Sequence, residues 1–122
     1  MKITEIAFTG YPVTDLKRAT QFYEGKLGLK ESRRFGDEHK AWVEYDIGPA
    51  TLAISNLAPN WKPSPGGGGA GLEVDDFDET VKRLKQSGAK FLIDPMESPI
   101  CHLAIVSDPD GNSMWLHKRK PQ

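Results

Sequence analysis

Glu44, Cys101, His102 and His117 are the side chains whose types could carry chemistry in this 122-residue chain. A carboxylate and an imidazole can share acid–base work, which makes Glu44 and His102 the candidate catalytic pair. The four together also hold the donors of a borderline metal site. Cys101 and His102 are neighbours on a predicted strand, however, so they point to opposite faces and make poor joint ligands. No Ser/His/Asp or Cys/His arrangement assigns a nucleophile, and Cys101 reads as a small strand residue. Asp108-Pro-Asp-Gly-Asn112 has the Asp-x-Asp start of a calcium loop. Gly111 comes two places early, and Arg119 stands at the twelfth position, where that loop needs Glu. The segment reads as a hairpin turn.

The elements that must position these residues are written twice. Val13-Thr-Asp15-Leu-Lys-Arg-Ala and Val74-Asp-Asp76-Phe-Asp-Glu-Thr each end a strand in an Asp able to cap a helix, 61 residues apart (76 against 15). Residues 3 to 13 read as the first strand, with Pro12 marking an edge or a bulge. Leu16, Ala19, Thr20, Tyr23 and Leu27 form a helical stripe closed by Gly28, and Gly25 weakens that helix. After a charged connection, residues 40 to 47 alternate: Val43, Tyr45 and Ile47 share one face, and Trp42, Glu44 and Asp46 the other. Residues 50 to 55 follow as a strand. Residues 57 to 68 form a linker, extended by the glycines that end at Gly69, and read as a mobile connection or lid. No Lys-Ser/Thr follows the glycines, so they are not a phosphate cradle.

In the second half, Asp76 with Glu79 is a capping box, and Phe77, Val81 and Leu84 are the buried stripe. Strands are predicted at 89 to 93, 101 to 106 and 113 to 117. The reading is α+β: two βαβββ modules forming a curved mixed sheet with a concave ligand cleft. Helices cover the outer face on the Leu52/Ile54 and Leu103/Ile105 sides. The chain is one domain, with module one at about 1–56, the linker at about 57–68 and module two at about 69–122.

Composition removes several classes of function. A net charge of −1 supplies no field for nucleic acid or anionic lipid, and the basic run at His117-Lys-Arg-Lys120 is short. One cysteine permits no intrachain disulfide. No apolar leader or membrane-length run is present, so a cytoplasmic location is expected, with neither nucleic-acid nor membrane partners.

Tyr11-Pro-Val-Thr-Asp15-Leu-Lys-Arg-Ala-Thr-Gln-Phe22-Tyr23, Leu27-Gly28-Leu29, Leu72-Glu-Val74-Asp-Asp76-Phe77 and Ser107-Asp-Pro-Asp-Gly-Asn112 together resemble the vicinal oxygen chelate superfamily. That group includes glyoxalases, extradiol dioxygenases and bleomycin-resistance proteins. The resemblance implies a divalent metal held by His or Glu from the first and last strand of each module. The matching positions here are Phe8 and Gly69, seven residues before each capping Asp, and Ala53 and Trp115. None is a metal ligand. The expectation is therefore no metal and no other cofactor, with a rearranged divalent-metal site as the alternative.

Phe8, Trp42 and Trp115 are expected near the vacated positions, either filling them or forming a clamp for a planar or cationic molecule. The expected ligand-binding set is Phe8, Trp42, Glu44, His102, Trp115 and His117. The resemblance to metal-free bleomycin-resistance proteins implies a small-molecule-binding homodimer. The alternatives are a lyase, isomerase or oxidoreductase, and a non-catalytic dimerisation or regulatory module.

Overall fold

Asp15 and Asp76 start the two main helices in the same way. Asp15 is extended (φ −128°, ψ 106°), and its Oδ1 accepts the Arg18 N–H at 3.0 Å. Asp76 (φ −132°, ψ 101°) accepts the Glu79 N–H at 3.0 Å. Each carboxylate satisfies a backbone donor that the first helical turn leaves free.

The computed structural model describes residues 1–121. The chain divides into two compact units between Pro63 and Ser64, inside the predicted linker. The first unit holds β1 (Thr9–Pro12), α1 (Leu16–Thr20) running straight into a π-helical segment (Gln21–Lys26), β2 (Glu31–Gly36), β3 (Ala41–Ile47) and β4 (Ala50–Ser55). The second holds β5 (Ala70–Glu73), α2 (Phe77–Gln86), β6 (Lys90–Glu97), β7 (Cys101–Ser107) and β8 (Ser113–Arg119). Each unit is a βαβββ module with one four-stranded mixed sheet, ordered β1-β4-β3-β2 and β5-β8-β7-β6. The first strand of each lies parallel to the last, and the remaining pairs are antiparallel. The predicted α+β class and paired modules are the observed ones. No helix among the described residues is long and apolar enough to cross a membrane.

In the first unit the helix covers the predicted face. Tyr11, Val43, Tyr45, Leu52 and Ile54 are buried, as are Leu16, Ala19, Phe22 and Tyr23. Tyr23 stacks on Tyr45 with ring centroids 6.2 Å apart. The Tyr45 hydroxyl donates to Glu24 Oε2 at 2.8 Å. The π-helical segment contains Gly25 and turns Phe22 inward beside Tyr23, a position the regular helical stripe leaves out. Gly28 ends the segment at φ +73°.

Three elements differ in extent from the expectation. β1 begins at Thr9, which pairs with Leu52. Residues 3 to 8 therefore run past the start of β4 and have little ladder to join; Ile3 and Ile6 are exposed. Residues 31–36, expected as a charged connection, form an edge strand exposed along its whole length. β6 continues past 93 to Glu97 through two register shifts, with Pro95 accommodated on an edge.

The covered face of the second unit is the reverse of the expected one. The Phe77 ring at the start of α2 lies 5.6 Å from the His102 ring, and Ala104, Val106, Met114 and Leu116 are buried with Phe77 and Leu84. Leu103 and Ile105 point the other way, because the β7–β8 register sets them opposite His117 and Trp115. The shorter Ala104 and Val106 allow closer approach on the helix side.

Candidate functional site

The open face of the first sheet gathers aromatic side chains around Gly10. Phe8 meets Trp42 edge-to-face at 4.9 Å and 87°, and Trp61 stacks on Trp42 at 6.4 Å and 21°. A Cβ added to Gly10 would lie 3.0 Å from the Trp61 ring and 3.2 Å from the Phe8 ring. Glycine is therefore what lets the two rings close over β1. Phe8 and Trp61 remain 45% and 38% exposed, so the cluster is not sealed.

A charged network borders the cluster. The Trp42 indole N–H donates to Glu44 Oε2 at 2.8 Å, and Arg33 Nε donates to Glu44 Oε1 at 2.6 Å. The same guanidinium donates to both oxygens of Asp46, with Nη1 at 3.0 Å, and Thr51 adds a hydroxyl donor to Asp46. The Trp42 N–H, and then Arg33, hold the Glu44 carboxyl below its ordinary value. Arg33, and then Thr51, do the same for Asp46. Two carboxylates against one guanidinium leave this wall one negative charge in excess. A planar group resting on the rings would find a carboxylate at their margin.

Of the predicted site residues, Phe8, Trp42 and Glu44 come together here. His102 does not belong to an open face at all: it lies under α2 against Phe77, on the opposite side of β7–β8 from Trp115 and His117. The Glu44 and His102 candidate pair falls in separate units. Arg33 and Trp61 escaped the sequence reading, one inside a supposed connection and the other inside the linker. The signal for Trp61 was its type, a large aromatic in a segment rich in Pro and Gly.

In the second unit, Trp115 lies over Gly69. A Cβ at Gly69 would sit 3.1 Å from Trp115 Cδ1 and Nε1. His117 Nδ1 lies 2.6 Å from Glu73 Oε1, and Glu73 Oε2 accepts the Arg119 N–H at 2.8 Å. The Arg119 N–H, and then His117, keep the Glu73 carboxyl below its ordinary value. Glu73 was also missed, although the parallel pairing of first and last strands sets it directly beside His117.

Residues 5–116 match the sequence profile of the Glyoxalase/Bleomycin resistance protein/Dioxygenase superfamily. The chain belongs to this superfamily. It is 32% identical over 120 residues to proteins named lactoylglutathione lyase from Salmonella typhimurium and Escherichia coli O157:H7, an alignment spanning 88% of this chain and 87% of theirs. Among solved structures it resembles TnmS3, described as an antibiotic binding protein from Streptomyces sp. CB03234, at 26% identity and a TM-score of 0.80. That match covers 98% of this chain and 99% of the other. A glyoxalase/bleomycin resistance protein from the same Streptomyces is 27% identical with a TM-score of 0.74, covering 92% and 98%.

Superfamily resemblance implied metal ligands at Phe8, Ala53, Gly69 and Trp115. The register supports that alignment, since Gly10 pairs with Ala53 as Gly71 pairs with Trp115. The residues present do not fit a divalent ion. None of the four offers an imidazole, carboxylate or thiolate, and a Cβ at 69 would sit tightly, 3.1 Å from both Trp115 and the Ser113 carbonyl oxygen. Among the described residues no group of three or more His, Cys, Asp and Glu converges elsewhere.

Proposed function

We propose that this superfamily member binds a planar, cationic small molecule on the Phe8–Trp42–Trp61 cluster, with Glu44 as the polar anchor. The observation that carries the reading is the pair of partly exposed rings, Phe8 and Trp61, set against Trp42, whose indole is hydrogen-bonded to an ionised carboxylate. Ring faces attract cations by about 0.5–2 kcal/mol, and the carboxylate adds a charge partner. The likeness to TnmS3, an antibiotic binding protein, supports the same class of activity. The protein acts as a homodimer in this reading. Titrating intrinsic tryptophan emission with a panel of planar cations, including bleomycin-type drugs, tests it. Saturable quenching that is lost in Trp42→Ala supports the reading; no response across the panel removes it.

A second reading is favoured by the curated relatives: a lyase of the lactoylglutathione type, with a metal held by residues other than those at the usual positions. Elemental analysis of protein purified without chelators, paired with an assay for lactoylglutathione formation, separates the two. One equivalent of Zn, Ni, Mn or Fe per chain together with turnover would favour the lyase.

A further inference from the structure

We propose that Glu73 and His117 form a proton-transfer dyad that, with Trp115 beside it, acts as a general base on planar molecules carrying an acidic C–H. This site lies within the second unit and does not rest on the binding reading above. The parallel β5–β8 register puts Glu73 next to His117 and Gly71 next to Trp115. Glu73 is held from behind, since one oxygen accepts the Arg119 N–H and the other faces His117 Nδ1 at 2.6 Å. An ionised carboxylate can only accept, so the Nδ1 of a neutral His117 must carry the proton. Its Nε2 then presents a lone pair, and among the described residues nothing hydrogen-bonds to it.

The surroundings suit a flat substrate. Trp115 is 39% exposed and two residues from His117 on the same face, roughly 6–7 Å along the strand. A Cβ at Gly71 would meet no atom within 4 Å, so there is open space beside the indole. Leu103 and Ile105 face His117 and Trp115 from β7 and make an apolar wall. The charged groups facing His117 are Glu73 from β5 and Arg119 on its own strand; β7 contributes none.

In the proposed step the substrate C–H proton moves to Nε2. The C–H electron pair forms a new π bond, and a bond to a leaving oxygen breaks with its electrons on that oxygen. The imidazolium then returns the proton to water. The probe 5-nitrobenzisoxazole reports this directly: loss of its C3 proton forms the nitrile, opens the N–O bond and releases a coloured nitrophenolate.

The expected result is saturable conversion above that of free imidazole at equal concentration. His117→Gln lowers it by about 10²-fold, at the low end of general-base contributions. Glu73→Gln, which tests a positioning residue, lowers it less and shifts the His117 ring 15N spectrum towards the Nε2–H tautomer. In the neutral form of the wild type the 15N spectrum shows Nδ1 protonated and Nε2 bare. Conversion no faster than free imidazole, or equal in His117→Gln, overturns the proposal. So does a protonated Nε2 in that neutral form, a readout that stands even where a variant fails to fold.

Discussion

The Trp42 indole N–H joins an aromatic surface to a charged one, and its removal is the most direct test at the scale of single residues. Trp42→Phe keeps a ring against Phe8 and Trp61 but leaves Glu44 without that donor. Affinity for planar cations should fall by several-fold to tenfold, the equivalent of about 0.5–1.5 kcal/mol for one hydrogen bond, as read by isothermal titration. Acidity gives a second readout. Glu44 is held below its ordinary value of 4.5, so it remains charged as the pH falls through that value and is neutralised only beneath it. Binding of a permanently cationic ligand should therefore persist through pH 4.5 and weaken below, with the acid step absent in Glu44→Gln. Phe8, Trp42 and Glu44 were legible as a group because strand alternation puts Trp42 and Glu44 on one face. Arg33 was not, because nothing in a run of exposed charges shows which residue reaches across to a neighbouring strand.

At the scale of elements, the two caps are the clearest case of sequence dictating structure. Asp76→Ala removes the acceptor for the Glu79 N–H and should cost about 1 kcal/mol in urea unfolding, with Asp76→Asn close to neutral. Gly10→Val is a different failure. Its added methyls would press on Trp61 and Phe8, and overpacking of this kind costs about 1–3 kcal/mol. Near-ultraviolet circular dichroism should show the Trp42/Trp61 signal weaken together with the melting temperature. Burial periodicity found every strand that has one covered face and missed β2, which has none. It also chose the wrong side of β7. Leu103 and Ile105 are bulkier than Ala104 and Val106, but the register with β8 decides which side meets the helix, and hydrophobicity carries no register. His102 was lost as a site residue for the same reason.

At the scale of the whole molecule, the repeat of 61 residues predicted the two modules, while the parallel closing pair in each is a finding of the structure. It could not show that equivalent open faces would take different chemistry: aromatic and anionic in the first unit, an imidazole beside an indole in the second. The homodimer is part of the binding proposal and is tested by mass. Sedimentation equilibrium should give twice the 13.5 kDa chain mass; a monomer at all concentrations would remove that part of the proposal. The contact between Gly69 and Trp115 has a consequence for anyone rebuilding a metal ligand on β5. With the indole in place, a Cβ at 69 lies 3.1 Å from both the Trp115 ring and the Ser113 carbonyl oxygen, so a histidine there needs both neighbours to give by a few tenths of an ångström. A smaller residue at 115 relieves the ring contact but leaves the backbone oxygen in place. A ligand on β5 therefore asks for adjustment at two neighbours, and a smaller side chain at 115 supplies only one of them.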